Sequence, residues 1–144
     1  MESKIKKRVS VVCVANFCRS PVAENLLKHF HKDIEVISAG IQPLNEYDMD
    51  KRSRNYLDKL GVQSDIHVPK RITKIMIDTS DIILAMDHQV LFELNKAFSN
   101  SKDKIKIFTH QHSNQLIADP YRFTLDRYNS VMEKINYICQ EIIF

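Results

Sequence analysis

The chain has 144 residues, 44% of them hydrophobic and 27% charged, and a formal net charge of +3, which suits one domain that buries a core without metal or disulfide staples. Lys and Arg are interleaved with Asp and Glu, so composition does not call for nucleic acid, although a mildly basic surface favours anionic substrates. No window approaches the roughly 18 uninterrupted apolar residues of a membrane span, and the start lacks the apolar core of a secretory leader; the expectation is a cytoplasmic protein, monomeric or weakly dimeric.

In chain order, the basic run Lys4 to Arg8 reads as a solvated lead-in. Val9 to Val14 is apolar, short and β-branched, the pattern of a strand buried on both faces, ending at Cys13. Ser20-Pro21 then offers an N-cap with Pro at the first helical position, and Val22, Ala23, Leu26, Leu27 and Phe30 follow at helical spacing. Ile34 to Ser38 reads as a second strand. Met49, Tyr56, Leu57 and Leu60 mark one side of a second helix that Gly61 stops. A short helix over Ile72 to Thr79, a strand over Ile82 to Met86, a helix over Gln89 to Ala97 and a strand over Ile105 to Phe108 continue the alternation. The last helix carries Tyr128, Val131, Met132, Ile135, Ile138, Cys139 and Ile142 on one stripe. The expected fold is α/β: a single three-layer domain over 1–144, with a four-stranded parallel sheet covered by helices on both faces. Ligands of such sheets sit beyond the carboxyl ends of the strands, where the first strand delivers Cys13.

The cysteines are Cys13, Cys18 and Cys139, an odd number without the paired spacing of a zinc site, so neither metal nor cofactor is expected. Taken singly, Cys13 fits a small buried hydrophobe and Arg19 a surface ion-pair residue. Together they form Cys-x5-Arg-Ser between a strand and a helix. The backbone N–H groups of Val14, Ala15, Asn16, Phe17, Cys18 and Arg19 can converge there at the positive end of a helix dipole, which makes an anion pocket. A phosphate in it would face Cys13 while Arg19 supplies a planar fork for two oxygens. The same environment favours a thiolate at Cys13, and Ser20 can donate its hydroxyl to that sulfur. Asn16 tolerates the left-handed backbone such a loop can need.

The stretch VVCVANFCRSPVAE, Val11 to Glu24, resembles the signature of the low-molecular-weight protein tyrosine phosphatases, which carry this loop at the start of the domain. Ser38-Ala39-Gly40, Asp50 with Arg52, Leu84-Ala85-Met86-Asp87 and Asp119-Pro120-Tyr121 match further family segments in order, so the resemblance runs over nearly the whole chain. It implies a phosphotyrosine-containing protein substrate, a cysteinyl-phosphate intermediate and inorganic phosphate as product. Cys13 would be the nucleophile, Arg19 the phosphate clamp and Asp119 the general acid, which must be protonated and so is expected partly buried beside negative charge. Asn16 would hold the loop, His67 would support Asn16 as a structural histidine, and Cys18 would match the second loop cysteine that can pair reversibly with the oxidised nucleophile. Cys139 reads as core.

Some positions depart from the family pattern and bear on substrate choice. Ala15 replaces the usual loop glycine, Leu44 stands where an aromatic residue commonly walls the cleft, and Tyr47 and Met49 replace a glycine and a proline. Tyr121 keeps a stacking wall for an aryl phosphate, while Arg122, in place of a second tyrosine, can attract acidic sequences. Alternatives on the same fold are an arsenate reductase, which needs two downstream cysteines where this chain has Cys139 alone, and a protein-arginine phosphatase, which carries a small threonine at the position of Phe17. A phosphate-binding module without turnover is the remaining alternative, though binding alone needs neither Cys13 nor Asp119.

Overall fold

The computed structural model describes residues 6–144; Lys4 of the basic lead-in lies outside them. Strand β1 (Lys7–Cys13) is followed by helix α1 (Arg19–Phe30), β2 (Ile34–Gly40), α2 (Lys51–Leu60), α3 (Lys74–Thr79), β3 (Ile82–Ala85), α4 (His88–Ala97), a short 3-10 helix (Ser99–Lys104), β4 (Ile105–Ile107) and α5 (Leu125–Glu141). The four strands form one parallel sheet in the order β2-β1-β3-β4. The chain leaves β1 toward β2 on one side and later returns toward β3 on the other, so the end of β1 lies at the point where the winding reverses. Crevices in open parallel sheets form at such points.

Period-two alternation distributes β1 between two cores. Val9, Val11 and Cys13 join Leu26, Leu57, Tyr128, Met132 and Ile135 beneath α1, α2 and α5. Val12 faces the other layer with Ile77, Ile83, Val90 and Leu94, under α3 and α4. Ser10, fully buried, is satisfied by a 2.6 Å hydrogen bond to Ser80.

Several sequence expectations change at the element level. Helix α1 starts at Arg19 with Cys18 as its cap residue and no side-chain cap; Ser20 does not cap it because its hydroxyl is committed to the loop below. Met49 is buried but precedes α2, whose N-cap is Asp50, the carboxylate accepting the Arg52 N–H. Leu60 stands exposed, since α2 ends on Gly61 in the left-handed conformation (φ 72°) and its last turn clears the core. The expected β4 and β3 each close one residue earlier, at Ile107 and Ala85.

Candidate active site

The loop from Cys13 to Arg19 is held from outside by its own carbonyls. Cys13 O, Val14 O and Ala15 O accept from the N–H groups of Ile41, Gln42 and Leu44, and Phe17 O from that of Asp50. Asn16 O accepts from His67 Nε2 at 2.9 Å and Cys18 O from Ser53 Oγ at 2.8 Å. Every carbonyl from Cys13 to Cys18 is therefore satisfied away from the pocket. Among the described residues, the amide N–H groups of Val14 to Cys18 donate to no protein acceptor. Since paired buried backbone is the rule, this one-sided satisfaction leaves a row of donors for a ligand, at the N-terminus of α1 where the helix dipole is positive.

Two residues allow that shape. Asn16 has a positive φ of 53°, a conformation that costs Asn less than other side chains. Gly40, at the end of β2, lies under the loop: a Cβ there would meet Val14 O at 2.7 Å and Asn16 N at 2.9 Å. Asn16 is buried and fully used. Its Oδ1 accepts from Lys70 N (3.0 Å), and its Nδ2 donates to Ser38 Oγ (3.1 Å) and Ser20 Oγ (2.8 Å). Ser38 in turn donates to Glu24 Oε1. With one Ser20 lone pair taken by Asn16, the Ser20 proton is free for Cys13 Sγ, 2.9 Å away. His67 thus braces the loop backbone and touches no pocket atom; burial pushes its imidazole pKa down, against the pull of its bond to Asn16.

Arg19 is 2% exposed, and a buried guanidinium must be paired. Its Nη1 donates to Asp87 Oδ2 at 2.8 Å and to the carbonyl of Ile117 at 3.1 Å. Asp87 is itself fixed as the cap of α4, accepting from Val90 N at 2.9 Å. These partners aim the side chain across the pocket floor. The sequence offers Asp87 only as part of a family segment, because its contact with Arg19 depends on β3 lying beside β1.

The pocket is a cavity of about 130 Å³ lined by Cys13, Val14, Ala15, Phe17, Cys18, Arg19, Leu44, Asp119 and Tyr121. Phe17 and Tyr121 meet edge to face with centroids 6.2 Å apart, forming an aromatic wall. The structure brings together all the named catalytic candidates and two of the three cleft residues. Tyr47 is the exception. It is 90% exposed and lines no part of the cavity, because the chain turns outward after Leu44 N–H engages Ala15 O, and Asp48 ties the next stretch to Arg54. Asp119 also differs from expectation: it is exposed at the cavity mouth and not partly buried, with one oxygen accepting from Tyr121 N at 3.2 Å.

Behind the loop, Cys18 is buried and its thiol donates to Asp50 Oδ2 at 3.7 Å. Burial, reinforced by the Asp50 carboxylate, pushes its pKa up to about 12, so Cys18 stays a thiol at neutral pH. Burial raises the Asp50 pKa too, but the Arg52 side chain and N–H outweigh it and hold the carboxyl below the usual range. Cys139 is fully buried, its thiol against Ala23 O at 3.7 Å. Among the described residues there is no cluster of three side chains able to hold a metal, and no helix is long and apolar enough to cross a membrane.

The chain is similar to known proteins. The family profile described as Low molecular weight phosphotyrosine protein phosphatase matches residues 8–143. The low molecular weight protein-tyrosine-phosphatase Wzb of Salmonella typhi is 32% identical over 124 residues, 86% of this chain and 83% of that protein. The crystal structure of the Erwinia amylovora tyrosine phosphatase AmsI superimposes with a TM-score of 0.87 at 28% identity, covering 97% of this chain and 93% of the other. The YwlE arginine phosphatase from Geobacillus stearothermophilus gives a TM-score of 0.85 at 26% identity, covering 92% and 88%.

Proposed function

The chain belongs to the low molecular weight phosphotyrosine protein phosphatase family, and from that premise we propose that it hydrolyses phosphotyrosine, and small aryl phosphates, through a cysteinyl-phosphate at Cys13. The observation that carries the proposal is the row of loop amides, without a protein partner among the described residues, at the cavity that Cys13 and Arg19 also line. In that cradle a phosphate dianion receives backbone N–H groups on its equatorial oxygens and the Arg19 fork on two of them.

The Cys13 thiolate attacks phosphorus in line as the bond to the phenolic oxygen breaks, and Asp119 gives its proton to the departing phenolate. The Asp119 carboxylate then takes a proton from a water that attacks the cysteinyl-phosphate. Phosphate leaves and the thiolate returns, held by the Ser20 hydroxyl. Exposure of Asp119 at the mouth suits both duties, since it must meet the ester oxygen first and a water afterwards. The reaction uses no metal. Phe17 and Tyr121 wall a slot for a phenyl ring, which Leu44 also lines.

The test is hydrolysis of p-nitrophenyl phosphate with a chelator present. Wild type turns over; Cys13→Ser loses at least about 10³-fold in kcat, and Asp119→Ala about 10²-fold or more. Equal turnover by wild type and Cys13→Ser refutes the mechanism. The arginine-phosphatase reading, favoured by the likeness to YwlE, is decided by comparing kcat/KM for a phosphotyrosine peptide and a phosphoarginine peptide; the aromatic wall predicts preference for phosphotyrosine.

A further inference from the structure

Besides Arg19, which reaches Ile117 O, a second side chain joins the nucleophile side to the loop that carries Asp119. Arg52, in the first turn of α2, extends its guanidinium between them. Toward the nucleophile side, its Nε donates to Asp50 Oδ1 at 3.0 Å and its Nη2 to Asp50 Oδ2 at 2.8 Å. Asp50 is part of that side: its N–H holds Phe17 O at 3.0 Å and its carboxylate accepts the Cys18 thiol. Toward the other side, Nη2 donates to Tyr121 O at 2.9 Å and Nη1 to Phe123 O at 3.2 Å. Below, the guanidinium carbon lies 4.0 Å from the centroid of the buried Tyr128 ring, which fixes the plane of the fork.

The segment it holds has few other anchors. Residues 119–123 run exposed or half-buried apart from Pro120. Their internal bonds are Tyr121 N to Asp119 Oδ1 and Phe123 N to Pro120 O, which shape a turn without attaching it. Among the described residues, the hydrogen bonds joining this turn to α2 both come from Arg52. The turn couples them to Asp119, because Tyr121 contributes its carbonyl to Arg52 and its N–H to the Asp119 carboxylate. A planar guanidinium serves two carbonyls and a carboxylate together; an ammonium lacks that reach and geometry.

We propose that Arg52 is a positioning residue for the acid: by clamping the carbonyls of Tyr121 and Phe123 it sets Asp119 at the distance from Cys13 that proton delivery to the leaving oxygen requires. The inference rests on the reading of Asp119 as general acid, and its signature follows from that role. p-Nitrophenolate is a weaker base than phenolate, so its departure depends less on the proton that the acid delivers. A loss of acid positioning therefore falls hardest on phenyl phosphate, and a geometric error of about 1 Å is enough to be felt.

The experiment compares kcat/KM for phenyl phosphate and p-nitrophenyl phosphate in wild type, Arg52→Met, Arg52→Lys, Asp119→Asn and the double variant Arg52→Met with Asp119→Asn. Met keeps apolar contact with Tyr128, and Lys keeps the charge beside Asp50, so one folded variant of the two suffices. The expected result is a drop about tenfold greater for phenyl phosphate than for p-nitrophenyl phosphate in either Arg52 variant. The competitive inhibition constant of inorganic phosphate should change less than about threefold, and in the Asp119→Asn background the Arg52 change should have no further selective effect. If both esters lose equally and phosphate binds more weakly, Arg52 acts through Asp50 on the nucleophile loop and the proposal is overturned. Additive, leaving-group-selective losses in the double variant overturn it as well. If Asp119→Asn alone shows no leaving-group selectivity, the acid assignment fails first and takes this inference with it.

Discussion

Gly40 shows how a single missing methyl group can set a functional loop. The contacts at 2.7 Å and 2.9 Å that a Cβ would make are to backbone atoms of Val14 and Asn16, which cannot rotate aside as the end of a flexible side chain can. An Ala there must push the loop off β2 or bend the strand. Gly40→Ala should raise the inhibition constant of inorganic phosphate about tenfold or more, while overpacking costs about 1–3 kcal/mol of stability. Denaturant unfolding and phosphate inhibition of p-nitrophenyl phosphate hydrolysis measure the two effects separately. Unchanged phosphate affinity in a folded Gly40→Ala protein refutes this reading. The sequence marks Gly40 only as the last residue of Ser38-Ala39-Gly40, because the need for glycine arises from a loop that passes over it more than twenty residues away in the chain. Asn16 is different: its residue type already announces a left-handed backbone, and the observed φ of 53° follows.

Among the elements, strands and helices were legible where period and β-branching agree, as in Val9 to Val12 and the stripe of α5. Boundaries failed where a polar side chain had a better partner than the helix end. Ser20 reads as an N-cap until Asn16 and Cys13 claim its hydroxyl. Arg52 and Asp87 carry recognisable spacing, yet their bonds to Tyr121, Phe123 and Arg19 depend on how α2, β1 and β3 pack, which local sequence does not encode. The N-cap of α2 gives an acid-range prediction. Asp50 has its pKa lowered in the folded protein, so its charged form stabilises the fold above the unfolded carboxylate pKa near 3.8, and that contribution disappears as pH falls through the folded value. Asp50→Asn should cost about 1–3 kcal/mol near neutral pH by unpairing Arg52 and the cap. The difference in melting temperature from wild type should shrink as pH is lowered from about 6 toward 3. A gap that stays constant over that range means the charge of Asp50 contributes nothing.

Over the whole molecule, the site lies where the parallel sheet changes its winding direction, and its parts come from the ends of β1, β2 and β3 and the loop before α5. A ligand that bridges such parts and binds only the folded chain stabilises all of them by mass action. Inorganic phosphate at about a hundred times its dissociation constant should add about 2.7 kcal/mol to unfolding, raising the melting temperature. In Arg19→Ala the rise should be largely lost, since the pocket keeps its amides but not its fixed cation. Thermal unfolding in phosphate and in chloride of equal ionic strength makes the comparison, and an equal rise in both proteins excludes Arg19 as the clamp. The parts of the site contributed by separated segments were the least legible. Tyr47 aligns with a cleft position, but the course of the chain after Leu44 turns it to solvent.

The outward bonding of the carbonyls from Cys13 to Cys18 has a kinetic corollary. A cradle whose peptide planes are pinned by the segment that follows β2, by Asp50 and Ser53 at the start of α2 and by His67 is expected to keep its contour when a ligand enters. Capture of a dianion then asks for no reorganisation of the receptor, and its rate is governed by diffusion and by the long-range pull of the positive pocket.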